Sequence, residues 1–95
     1  MTGELLKFRE TTSNTLSNKD VGISNIFERD LPDDKGVIAS RMSAVLVIHD
    51  PVTDEIQRET VFEGKIVSIG GDRYCVVSVE IGKGSPGWLS LRQVK

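Results

Sequence analysis

The chain has little cysteine and no long apolar run, and each shortage excludes a class of protein. The longest uninterrupted apolar segment, Ala44–Ile48, is far too short to cross a membrane as a helix. The first twenty residues hold no long apolar stretch behind a basic start, so we expect no secretory signal. Cys75 is the only cysteine, so no internal disulfide can form, which favours a reducing cytoplasm.

The charge also lacks a dominant sign. The 95 residues include 12 Lys and Arg against 14 Asp and Glu, a net charge of -2. A chain that binds nucleic acid mainly through phosphates carries an excess of cations. This balance therefore disfavours such a binder, although it allows a local basic patch. The length fits a single domain over residues 1–95 with a thin core.

The pattern that is present is typical of β-strands. From Gly36 onward, Val and Ile recur with the alternation expected of strands. Residues 61–69 and 73–81 flank Gly70-Gly71, a pair that tolerates positive φ at both positions of a hairpin turn. Across that turn, we expect paired residues whose numbers sum to about 141, such as Ile66 with Cys75, Val67 with Tyr74, Gly64 with Val77 and Phe62 with Val79.

The same hairpin yields a prediction of its faces. Cys75, Val77, Val79 and Ile81 form a wholly apolar set, so we expect them in the core. The alternate residues, Tyr74, Val76, Ser78 and Glu80, would then point outward. Gly64 interrupts the first strand and predicts a kink or bulge there.

Two further strands follow from similar alternation. Residues 88–94 form the last strand, after a glycine-rich loop over 82–87, and Leu89 and Leu91 are expected to point inward. Across this loop Leu91 should lie near Val77, Leu89 near Val79, Trp88 near Glu80 and Val94 near Tyr74. The strand around residues 42–48 is apolar on both faces, which is typical of a central strand, and Pro51 ends it. Residues 37–94 are therefore predicted to form a meander of about four antiparallel strands.

The first third of the chain, residues 1–35, is more ambiguous and could be partly irregular. Residues 4–9 alternate as a first strand through Leu6 and Phe8. Over residues 18–29 we favour a strand, although Ile23, Ile26 and Phe27 also fit a short helix. The predicted fold is all-β, with about six antiparallel strands in a small barrel or a two-layer sandwich.

No motif indicates catalysis, a metal or a cofactor. Gly82, Gly84 and Gly87 match a dinucleotide-binding pattern in letters only, because no helix or acidic residue follows at the required spacing. His49 has no second nitrogen or sulfur ligand nearby, and Cys75 is expected in the core, where a thiol is unreactive. We therefore predict a protein that is not an enzyme and holds no cofactor.

The outward face of the last three strands carries the main functional signal. Its apolar and aromatic residues lie beside arginines, a composition typical of protein interfaces. The candidate partner-binding residues are Val67, Arg73, Tyr74, Trp88 and Arg92. Alternatively, the first third of the chain folds over this face and buries it.

These observations favour a cytoplasmic, non-enzymatic protein that acts through contacts with another protein or with a second copy of itself. An inhibitor, an immunity-type factor or an accessory subunit would fit. The alternative is a module of the OB type that binds single-stranded nucleic acid through Lys65, Arg73, Tyr74, Trp88 and Arg92. Glu63 and Glu80 interrupt that basic surface and disfavour this alternative.

Residues 61–77, with the hairpin glycines Gly64, Gly70 and Gly71, and the closing segment 87–92 resemble short bacterial β-domain proteins of unknown function. The resemblance covers about 60–94 and depends on the glycines and on hydrophobic spacing. It implies a β-fold and transfers no functional residue.

Overall fold

The computed structural model describes residues 5–82 and 86–94, and it contains eight β-strands. The first four are β1 (Leu5–Arg9), β2 (Ser13–Leu16), β3 (Lys19–Pro32) and β4 (Ile38–His49). The remaining four are β5 (Ile56–Phe62), β6 (Ile66–Ile69), β7 (Asp72–Glu80) and β8 (Trp88–Val94).

The strands form two antiparallel four-stranded sheets. Sheet A has the order β1-β8-β7-β6, and sheet B has the order β2-β3-β4-β5. Among the described residues the two sheets do not close into a barrel. The all-β prediction is confirmed, in its two-layer form, with eight strands where the sequence indicated about six.

One hydrophobic core lies between the sheets. Sheet A contributes Phe8, Val67, Ile69, Tyr74, Val76, Leu89 and Leu91, and sheet B contributes Val21, Ile23, Ile26, Ala44, Leu46, Ile48 and Val61. The predicted inward residues of β8, Leu89 and Leu91, are confirmed by this set. As its two apolar faces indicated, β4 is an inner strand with neighbours on both sides.

The hairpin at Gly70-Gly71 is confirmed, and both glycines have positive φ. Ile66 pairs with Cys75 and Val67 pairs with Tyr74, as the sequence predicted. The continuous meander over 37–94 is wrong, because β5 lies in sheet B and β6 lies in sheet A. The chain passes between sheets at the predicted kink, Gly64, so Phe62 pairs with Ser43 of β4 rather than with Val79.

A bulge at Val77 corrects the predicted faces of β7. The ladder between β7 and β8 shifts register between Val76 and Ser78, and an extra residue in a strand reverses the alternation of its side chains. Tyr74 is therefore buried before the bulge, whereas Cys75 and Val77 are only half-buried. After the bulge Val79 packs against the core, as predicted.

The same bulge explains which cross-strand pairs were predicted correctly. Val79 pairs with Leu89 and Glu80 pairs with Trp88, as expected, because both pairs lie on the loop side of the bulge. Beyond it every partner shifts by one residue, so that Leu91 pairs with Val76 rather than Val77. Tyr74 likewise pairs with Gln93 rather than Val94.

The first third of the chain is strand in the structure from Leu5 onward. β1 confirms the predicted first strand, and β3 covers residues 18–29 almost completely, so the helical alternative is wrong. The tight turn between β2 and β3 holds Ser17 and Asn18 at positive φ. Over the described ranges the chain forms no helix of the length and apolarity that spanning a bilayer would require.

Candidate interaction surface

The outer side of sheet A, which points away from the core, carries a cluster of cations around one tryptophan. In β1, Phe8 is buried while its neighbours Lys7 and Arg9 are exposed. In β8, Leu89 and Leu91 are fully buried, whereas Trp88 is 36% exposed. Alternation in the two strands thus places these polar and aromatic side chains on the same outer face.

Trp88 lies between two cations. The Lys7 Nζ is 5.5 Å from the centroid of the Trp88 ring, and the Arg9 guanidinium carbon is 5.6 Å from it. Both distances fall within the range of cation–π attraction, about 6 Å. The pairing of Arg9 with Trp88 and of Lys7 with Ser90 fixes this arrangement in the backbone ladder.

Two arginines extend the same surface. Arg92 is opposite Leu5 in one ladder and Cys75 in the other, and Arg73 is opposite Val94. We call Lys7, Arg9, Arg73, Trp88 and Arg92 the basic face. In the part of the chain that the structure describes, none of its four cations forms an ion pair. Its acidic neighbour is Glu80, which pairs across the ladder with Trp88.

Three of the five candidate partner-binding residues lie on this face: Arg73, Trp88 and Arg92. The prediction that Val67 and Tyr74 are exposed with them is wrong, since they are 2% and 3% exposed in the core. The alternative interpretation, in which the first third of the chain covers this side of the sheet, is supported at Tyr74, whose hydroxyl contacts Ser17, although the strands of sheet B that contact β7 most are β4 and β5.

A hydrogen-bond network shows how that cover is attached. The Ser17 hydroxyl lies 2.6 Å from the Tyr74 hydroxyl and donates to Asp72 Oδ2 at 2.7 Å. Ser17 belongs to the turn between β2 and β3, whereas Asp72 and Tyr74 belong to β7. Because a buried tyrosine hydroxyl needs a partner, this contact explains why Tyr74 can point inward.

Sequence reasoning missed Lys7 and Arg9. Their alternation with Leu6 and Phe8 was visible in the sequence and is the signal that could have found them. What the sequence did not indicate was that β1 pairs with β8, a contact between strands nearly the whole chain apart. Lys65, a candidate for nucleic-acid binding, lies on the β5–β6 connection and pairs with Glu59 at 3.5 Å.

His49 lies in a polar cluster at the opposite sheet. Its Nδ1 is 3.1 Å from Asp20 Oδ2, and its Nε2 is 2.7 Å from Asp54 Oδ1. Both contacts raise the pKa of His49, and the hydrogen bond to Asp54 has the larger effect. The two carboxylates bond opposite sides of the ring, so they do not converge on one point with it, and residues 5–82 and 86–94 hold no cluster suited to a metal.

The polar turn next to this histidine is organised by Asp50. Its carboxylate accepts bonds from Lys19 Nζ at 2.5 Å and from the backbone N–H of Val52 at 2.8 Å. The lysine contact and the backbone donors lower the pKa of Asp50 to about 2. The cluster thus fixes the β4–β5 turn. Three residues of the glycine-rich loop, Lys83, Gly84 and Ser85, lie outside the described residues.

The chain matches no family model, no curated protein and no solved structure.

Proposed function

We propose that the protein is a non-enzymatic binding protein that docks on an acidic surface of another protein through the basic face. The observation that carries the proposal is the exposed Trp88 ring close to Lys7 and Arg9, on the same face as Arg92. Tryptophan and arginine are enriched at the centres of protein interfaces. Cations that form no ion pair with any described residue, on a chain of net charge -2, favour a partner of the opposite charge.

The apolar surroundings of the cations favour a protein partner. Leu5 is a large apolar residue exposed on the outer side of sheet A, where it would contact apolar side chains at an interface. Proteins that bind single strands stack successive bases on several aromatic rings. With Tyr74 buried, Trp88 is the one aromatic ring among the residues that define this face. We also place the protein in the cytoplasm, since its single cysteine suits a reducing compartment.

A titration followed by tryptophan fluorescence tests the proposal, because Trp88 is the only tryptophan. The probe is a peptide of alternating glutamate and leucine. We expect it to change the emission of Trp88, and the double variant Arg9→Glu, Arg92→Glu to weaken binding by about tenfold or more. Arg58→Glu reverses one charge on the exposed part of β5, away from the basic face, and should leave binding unchanged.

Two results would contradict the proposal. One is unchanged peptide affinity in the double variant. The other is binding of a thymidine oligonucleotide, but not of the peptide, with affinity that falls steeply between about 50 and 300 mM salt. That second result would favour the single-stranded nucleic-acid module, for which the exposed Trp88 ring between two cations is the supporting observation.

A further inference from the structure

The hairpin of β3 and β4 is longer than the strands beside it. β2 pairs with β3 only as far as Gly22, and β5 pairs with β4 only from Ser43 onward. Residues 28–32 of β3 and 38–42 of β4 therefore pair only with each other among the described strands. We call this two-stranded extension the arm. It leaves two open backbone edges, one on each strand.

The two edges differ in the residues that they present. In an antiparallel ladder every second residue turns its backbone N–H and C=O away from its partner. The bond from Asp33 N to Val37 O sets this alternation. It places the outward backbone groups at Glu28, Asp30 and Pro32 on β3, and at Ile38, Ser40 and Met42 on β4.

The β3 edge is therefore protected, whereas the β4 edge is not. Charged residues and proline on an edge strand are the features that prevent another strand from pairing with it. The β4 edge carries neither at its outward positions, and Ile38 on it is 69% exposed. A further strand can thus hydrogen-bond to β4 but meets charge and a missing N–H on β3.

A groove of about 500 Å³ lies beside the open part of β4. It is lined by Pro32 and Arg41 of the arm, by Asp34 of the turn between β3 and β4, and, from the end of β5 to the start of β6, by Phe62, Glu63 and Ile66. The groove exists because β5 ends at Phe62 and the chain then leaves for sheet A at Gly64, which has positive φ. Arg41 is the residue from the unpaired part of β4 that lines it.

The charges around the groove favour a basic ligand. Its two cations already have acidic partners, since Arg41 pairs with Asp33 at 3.8 Å and Lys65 with Glu59 at 3.5 Å. Asp34 and Glu63, both exposed, form no ion pair in the described part of the chain. A second copy of the arm would bring the same carboxylates together, so it is a poorer complement than a basic segment.

We propose that this groove and the open edge of β4 bind an extended segment of a partner protein in which basic and apolar residues alternate. The segment adds to sheet B as a strand, by hydrogen bonds to residues 38–42. Its apolar side chains contact Phe62 and Ile66, and its basic side chains lie near Asp34 and Glu63. The groove prefers a basic ligand, whereas the basic face prefers an acidic one, so the two surfaces bind different partners.

Fluorescence anisotropy with a labelled hexapeptide of alternating lysine and valine tests this proposal. We expect saturable binding, and none of a glutamate–valine hexapeptide. Ser40→Pro removes one outward N–H and should weaken binding about tenfold, the value of one hydrogen bond. The control Asp30→Pro places the same ring at the paired position on the protected edge and should retain binding.

Glu63→Lys provides a test that does not depend on the folding of a proline variant, because the residue lies in an exposed turn. It should weaken binding of the lysine–valine peptide by a similar factor. Equal affinity in the wild type and Ser40→Pro would overturn the proposal, as would absence of peptide binding. Self-association that Ser40→Pro abolishes would overturn it in favour of a second copy. None of these variants changes the basic face, so its test is independent.

Discussion

Gly70 is a residue at which any side chain would clash with the neighbouring backbone. It has a φ of 59°, and a Cβ placed on it would lie 2.2 Å from the backbone oxygen of Ser17. Its neighbour Gly71 has a φ of 93° but nothing within 4 Å of such a Cβ. Gly70 therefore permits close contact between the turn of sheet A and the β2–β3 turn of sheet B.

We expect Gly70→Ala to destabilise the protein by about 3 kcal/mol or more, because backbone atoms must move to relieve the clash. Gly71→Ala is the matched control and should cost only the backbone strain, about 1–2 kcal/mol. Urea unfolding followed by tryptophan fluorescence measures both. Equal losses in the two variants would mean that the contact with Ser17 contributes nothing.

His49 should make stability depend on pH. Because Asp54 and Asp20 raise its pKa in the folded state, the folded protein binds the proton more tightly than the unfolded chain does. This stabilisation is complete below the ordinary pKa of histidine, about 6.5. It is lost as the pH rises through the higher pKa of the folded state.

The measurement compares urea midpoints of the wild type and His49→Gln at about pH 5.5 and about pH 8.5. The wild type should be more stable relative to the variant at the lower pH, and the difference should shrink at the higher pH. Asp54→Asn removes the strongest cause of the shift and should reduce this dependence. A difference that grows with pH would contradict the assignment.

At the scale of elements, Glu10 joins three strands. Its Oε2 accepts the backbone N–H of Ile26 at 3.1 Å, and its Oε1 accepts that of Gly87 at 3.2 Å. Its own backbone N–H donates to Gly87 O at 2.8 Å. The side chain thus connects the end of β1 with the register shift of β3 between Ser24 and Phe27 and with the start of β8.

Glu10→Gln should lower the free energy of unfolding by about 1–2 kcal/mol, because an amide presents one acceptor oxygen and leaves one N–H without its partner. Glu63→Gln makes the same change at an exposed carboxylate and should stay within about 0.5 kcal/mol. Urea unfolding near neutral pH measures both. Equal effects would show that the bonds to Ile26 and Gly87 do not stabilise the fold.

The strands were predictable from the sequence to the extent that their signals are local. Gly70-Gly71 set the register of β6 with β7, because a two-residue turn allows only one way to pair the residues of the two strands that it joins. The bulge at Val77 could not be predicted from the sequence. Every second residue from Cys75 to Ile81 is apolar, and this pattern is the same whether or not a bulge reverses the faces of the strand. Tyr74 was placed on the wrong face for that reason.

At the scale of the whole molecule, only part of the candidate site could be predicted from the sequence. Trp88 and Arg92 both lie on β8, so their shared face followed from alternation, whereas Arg73 reaches that face only because the bulge at Val77 turns its neighbour Tyr74 inward. Lys7 and Arg9 join them only because β1 pairs with β8, and no turn signal connects strands so distant in sequence. The buried positions of Val67 and Tyr74 likewise depend on how the two sheets stack.

The pairing of β1 with β8 has a consequence for how the protein is made. Sheet A gains its first strand only after β8 has left the ribosome, whereas the ladders of sheet B join neighbouring segments and can form earlier. Closing such a large loop makes the final step slow for a chain of this size. Until then the apolar side of β1, with Phe8, is open to solvent, so a nascent chain that stalls before β8 would be a target for chaperones.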